Sequence, residues 1–94
     1  MSEVRLAVVG VGHLGRHHAR VAASLSGVRV VGVHDHLPGR AEDVAREFSL
    51  PILPDLAAVA SEAEAVVVAT PTSTHAEIGA FFLDRGLHVL VEKP

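Results

Sequence analysis

Val4-Arg5-Leu6-Ala7-Val8-Val9-Gly10-Val11-Gly12-His13-Leu14-Gly15 is the stretch that decides the fold. A short β-branched run ending at a glycine suits a strand buried on both faces. A complete G-x-G-x-x-G follows it. Gly10 permits a tight turn, Gly12 lets the backbone approach a pyrophosphate, and Gly15 lets a helix pack closely on the strand. From Leu14 to Leu25, Leu14, Val21, Ala22 and Leu25 recur at helical spacing, and Gly27 is placed to stop the helix. An anion would rest beside His13 and Leu14 at the helix N-terminus, where free N–H groups and the helix dipole favour negative charge.

The same alternation continues along the chain. Val28 to Val33 reads as a second strand leading to Asp35. A Pro38-Gly39 turn precedes a helix over Ala41 to Phe48, with Val44, Ala45 and Phe48 on one face. Leu50 to Leu53 reads as a short third strand interrupted by prolines at 51 and 54. Asp55 is placed to cap a brief helix through Ala60. Ala65 to Ala69 is a fourth strand, Thr74 to Arg85 a helix closed by Gly86, and His88 to Val91 a fifth strand. This pattern predicts an α/β, Rossmann-type doubly wound parallel sheet with right-handed crossovers and strand order 3-2-1-4-5. Residues 1–94 are expected to form one dinucleotide-binding domain, the N-terminal part of a longer enzyme whose substrate domain is absent.

Composition narrows the function. A net charge of −3 and a pI near 6.1, with no basic run, argue against nucleic-acid binding. The absence of cysteine removes disulfides and thiolate metal sites. No apolar run is long enough to span a bilayer, and no signal peptide precedes the first strand, so a soluble cytoplasmic protein is expected. The apolar strand His88 to Val91, left at a sheet edge, predicts a homo-oligomer.

Asp35 ends the second strand twenty positions after Gly15, where a carboxylate accepts hydrogen bonds from ribose hydroxyls and repels a 2′-phosphate. NAD is therefore the expected cofactor. Arg40 keeps NADP possible, because it could stack on adenine or pair a phosphate; a solvated arginine is the plainer reading. Thr70-Pro71-Thr72-Ser73-Thr74-His75 follows the fourth strand and would present hydroxyls and an imidazole to the nicotinamide half of the crevice. The alternative is a turn in which Thr72, Ser73 or Thr74 only caps the next helix. His13 and His17 have the i, i+4 spacing of a zinc pair, but neither a Glu-x-x motif nor a third ligand accompanies them, and no metal is expected. Lys93 is the only lysine, at the end of the fifth strand, where ligands collect in open α/β sheets. Such an ammonium can polarise a substrate oxygen or donate to it. A solvated strand end is the alternative.

Together, Gly10-Val11-Gly12-His13-Leu14-Gly15 with His18, then Asp35, Thr70-Pro71 with His75, and Glu92-Lys93-Pro94 resemble the N-terminal domain of the Gfo/Idh/MocA oxidoreductases. The resemblance covers essentially the whole chain, and the E-K-P tripeptide is its most specific part. It implies NAD(P)-dependent oxidation or reduction of a sugar, cyclitol or nucleotide sugar, with Glu92 and Lys93 near nicotinamide and Lys93 near substrate. Gly12 to Arg20 is also similar to members acting on UDP-N-acetylhexosamines. The family's C-terminal domain, with most substrate contacts and a second acid/base, is not represented in these residues. Two other readings compete: a stand-alone nucleotide sensor without catalysis and, more distantly, a methyltransferase, whose loop rarely keeps the third glycine before a long helix and which has no use for a strand-end lysine.

Overall fold

The computed structural model describes residues 3–92. In chain order they form β1 (Val4–Val9), α1 (His13–Ser24), β2 (Val28–His34), α2 (Pro38–Phe48), α3 (Leu56–Glu62), β3 (Ala65–Val68), α4 (Thr72–Asp84) and β4 (His88–Val91). The strands make one parallel sheet in the order β2-β1-β3-β4.

The expected order 3-2-1-4-5 needs one correction, at its outer edge. Residues Leu50 to Leu53 contribute only an isolated parallel bridge between Ile52 and Val33, so the sheet of the described residues has four strands. Pro51 and Pro54 lack N–H donors and cannot extend a ladder. Pairing is limited to the Val33 N–H on the Pro51 carbonyl at 3.0 Å and the Leu53 N–H on the Val33 carbonyl at 2.8 Å. The segment still lies beside β2, where a third strand was expected. Gly32 admits it: a Cβ there would stand 2.6 Å from Leu53 Cγ.

Both faces of the sheet are covered, as a doubly wound fold requires. Ala7 and Val9 of β1 pack with Val66, Val68, Val59 of α3 and Phe82 of α4 on one face; Val8 packs with Ala19 of α1 and Val44 of α2 on the other. This is the period-two alternation of a strand buried on both sides. In β2 a register irregularity opposite Leu6 and Ala7 lets Val31 and Val33 face opposite ways despite their equal parity. Phe82 is fully buried, and its truncation to alanine is expected to cost about 3–5 kcal/mol.

Helix ends differ from the sequence reading in two places. Pro38 and Gly39 belong to the first turn of α2, because proline's fixed φ and missing N–H suit that position. Helix α4 begins at Thr72 behind an N-cap Pro71, with no side-chain cap from Thr72, Ser73 or Thr74. Asp55 does cap α3, its carboxylate accepting from the Ala58 N–H at 2.8 Å. Helices α1 and α2 are tied by Arg16 and Glu47, and the hydrogen bond and charge of Glu47 hold the Arg16 pKa above its ordinary value. Strand β4 forms the other sheet edge and leaves Leu90 and Val91 exposed.

Candidate functional site

The three glycines of the first turn have different reasons for being glycine. Gly10 has a φ of +88°, and a Cβ on it would lie 2.8 Å from the Ala69 carbonyl carbon and the Thr70 nitrogen. A Cβ on Gly15 would stand 1.7 Å from the Gly10 oxygen. Both are demanded by the fold. A Cβ on Gly12 would meet only the tip of Arg40, at 3.6 Å, an ordinary contact with a flexible side chain. Its bare backbone opens instead onto a cleft of about 590 Å³ at the carboxyl ends of the strands.

Helix α1 starts at the same place. No side chain caps it and no acidic residue occupies its first turn, so its N–H groups and the positive end of its dipole remain available to an anion. His13 and Leu14 line the cleft there, whereas Gly15 serves the packing beneath. This is the cradle a pyrophosphate needs: a positive helix end next to a backbone that no side chain screens.

Asp35 is buried at one end of the cleft, its side chain only 2% exposed. One carboxylate oxygen accepts from the Val11 N–H at 2.8 Å and the other from the Leu37 N–H at 2.8 Å. The carboxylate thus pins the glycine turn to the end of β2 as well as facing the cleft. A carboxylate has about four acceptor positions, so capacity for ribose hydroxyls remains. His36 and Arg40 form the rim around it.

Thr70, Pro71 and Thr72 line the opposite wall. The Thr74 hydroxyl donates to the Pro71 carbonyl at 2.8 Å and pairs with the Thr70 hydroxyl at 2.9 Å. His75 was expected to present its ring to the crevice. Its Nε2–H instead donates to the Thr70 carbonyl, and the ring is not among the side chains lining the cleft. It braces the turn whose other face is the wall. A smaller adjoining cavity of about 290 Å³ has an apolar floor that includes Leu56 and Ile78.

Glu92 completes the lining, just after β4. Its N–H donates to the Val68 carbonyl at 2.9 Å, and its carboxylate stands 3.1 Å from His18 Nε2 on α1. Lys93, assigned the catalytic role above, lies outside the described residues. His17 is engaged by Arg20, and no three potential metal ligands cluster among the described residues. Two residues in this geometry had no assigned role: His36, and His18 as the partner of Glu92. His36 was legible as the neighbour of Asp35; the pairing of His18 was not, since 74 positions separate it from Glu92.

Comparison with known proteins bears on this geometry. Residues 4–94 match a family model described as the oxidoreductase family with NAD-binding Rossmann fold, Gfo/Idh/MocA. The chain is 42% identical over 94 residues to UDP-N-acetylglucosamine 3-dehydrogenase of Acidithiobacillus ferrooxidans, covering 100% of this chain and 29% of that protein. It is 40% identical over 101 residues to scyllo-inositol 2-dehydrogenase (NAD(+)) of Bacillus subtilis, covering 98% of this chain and 28% of the relative. Among solved structures, GenD2 from gentamicin A biosynthesis, in complex with NAD, superposes with a TM-score of 0.93 at 34% identity, over 100% of this chain and 28% of that one. The chain therefore spans less than a third of the length of the curated relatives it matches.

Proposed function

The chain belongs to the Gfo/Idh/MocA oxidoreductase family, and from that membership we propose that it seats NAD for hydride transfer to or from a sugar, cyclitol or nucleotide sugar. Gly12 carries the reading. It is the glycine of the motif whose missing side chain the fold itself does not require, and the space it leaves lies over the uncapped start of α1. The pyrophosphate rests there, Asp35 orients the adenosine ribose, and Thr70, Pro71 and Thr72 wall the nicotinamide half. Bound NAD supplies the hydride-accepting ring.

The chain's own contribution to chemistry is assigned to Lys93, whose Nζ exchanges a proton with the substrate hydroxyl as the hydride moves. Glu92, the residue before it, lines the cleft, which supports this reading. The sugar-type substrate class follows from relatives named for UDP-N-acetylglucosamine and for inositols. Among these a UDP-N-acetylhexosamine is favoured by the likeness of Gly12 to Arg20. Among the described residues no helix is long and apolar enough to cross a membrane, and the proposed site of action is the cytoplasm.

Calorimetric titration with NAD tests the seat, and steady-state kinetics of the full protein with UDP-N-acetylglucosamine and with inositols tests the substrate class. Failure to bind NAD would overturn the reading. Binding without turnover of any sugar-type substrate would reduce it to a nucleotide-binding module.

A further inference from the structure

Arg40 belongs to the first turn of α2, its N–H donating to the Leu37 carbonyl at 3.0 Å, yet its side chain reaches back to the glycine turn. A Cβ on Gly12 would stand 3.6 Å from Arg40 Nη1, so one end of the guanidinium lies beside the bare backbone that opens onto the cleft. No ion pair among the described residues engages it. The carboxylates around it are held elsewhere. Asp35 accepts from the Val11 and Leu37 N–H groups, Glu92 stands 3.1 Å from His18, and Asp43, one turn further along α2, pairs with Arg46 at 3.6 Å. Asp35 and Arg40 both line the cleft and are five positions apart, but the guanidinium lies toward Gly12 rather than on the Asp35 carboxylate.

Resting on the NAD seat proposed above, we propose that Arg40 is its clasp: the guanidinium on α2 closes onto the pyrophosphate, which lies between it and the N–H groups that begin α1. A guanidinium and the positive end of an uncapped helix repel each other, and a phosphate anion between them makes both contacts favourable. Helix α1 has no acidic residue in its first turn to serve instead. The planar fork of an arginine also matches two phosphate oxygens at once. Arg40 is exposed on the rim, so its flexible stem lets the clasp lift for the cofactor to enter and leave. This role differs from stacking on adenine and from pairing a 2′-phosphate, both of which would draw the guanidinium away from the glycine turn.

The test is a ligand series: dissociation constants of NAD, NADP and ADP by calorimetry, and of adenosine by competition against NAD, for the parent protein, Arg40→Gln and Arg40→Lys. In Arg40→Gln the constants for NAD, NADP and ADP should all rise by about tenfold while that for adenosine is unchanged. Affinity of the parent for ADP should also fall more steeply with added salt than that of Arg40→Gln. Arg40→Lys, which keeps the charge without the fork, should recover part of the loss. An equal loss for adenosine would move Arg40 to the adenine, and a loss confined to NADP would move it to the 2′-phosphate. Either result, or unchanged NAD and ADP affinity in Arg40→Gln, would overturn the inference alone. Absence of NAD binding in the parent would overturn the seat and the inference together.

Discussion

His18 Nε2 stands 3.1 Å from Glu92 Oε2, joining the second turn of α1 to the residue that follows β4. Two sides of the cleft are thereby linked: the start of α1, where the pyrophosphate is proposed to rest, and Glu92 just after β4. Glu92 lines the same cleft, so its carboxylate is a potential repellent of a phosphate. His18 holds it aside. In His18→Ala the freed carboxylate should weaken NAD binding by about tenfold, or 1.4 kcal/mol, and the double variant with Glu92→Gln should recover most of the loss. Titration of both variants decides it; a double variant as weak as the single would show that His18 acts on the cofactor directly.

The glycines of the first turn should separate by experiment. Gly12→Val should raise the dissociation constant for NAD by about a hundredfold or more, near 2.7 kcal/mol, while circular dichroism shows an intact fold. Gly15→Ala should instead destabilise the protein, by about 3 kcal/mol or more, because its Cβ would collide with the Gly10 carbonyl. Thermal melts beside binding isotherms distinguish the two effects. A folded Gly12→Val that still binds NAD would remove the phosphate cradle from α1.

Asp35 is expected to carry two roles at once. NAD should bind more tightly than NADP, because in the proposed seat the buried carboxylate would face the 2′ position. Asp35→Ala should erase that preference and also destabilise the fold by about 1–3 kcal/mol, since the Val11 and Leu37 N–H groups lose their acceptor. Equal or tighter NADP binding by the parent across the pH range would mean that Arg40 governs the site.

For Lys93, the expected outcome is a loss of turnover without a loss of cofactor. In the full protein Lys93→Ala should lower kcat by about a hundredfold or more, the usual scale of proton-transfer catalysis, with NAD affinity little changed. Steady-state kinetics with UDP-N-acetylglucosamine is the measurement. Near-normal turnover would take Lys93 out of the chemistry.

The edge at β4 predicts self-association. Leu90 is 54% exposed and Val91 41% exposed on a strand paired on one side only among the described residues. Such an edge recruits partners. Light scattering should report an oligomer of the 94-residue chain at high concentration, and Leu90→Lys should shift it toward monomer. A parent monomer at all concentrations would count against the expectation.

The sequence by itself determined the fold class and the glycine turn, because both rest on local chemistry. A β-branched run, a G-x-G-x-x-G and an amphipathic stretch leave one arrangement that buries the apolar faces and frees the helix N-terminus. Asp35 was legible for the same reason, lying at a set distance along the chain from that turn. Only the tertiary structure decided the rest. Whether Leu50 to Leu53 is a strand depended on how much ladder two prolines leave against β2, and the answer was a single bridge. Whether the His75 ring faces a ligand or the backbone depended on the turn at Thr70 and Pro71, which closed onto the ring. The pairing of His18 with Glu92 arises from contact between residues 74 positions apart in sequence. Spacing along the chain records the local turn; it does not record which side chains the packed sheet brings face to face.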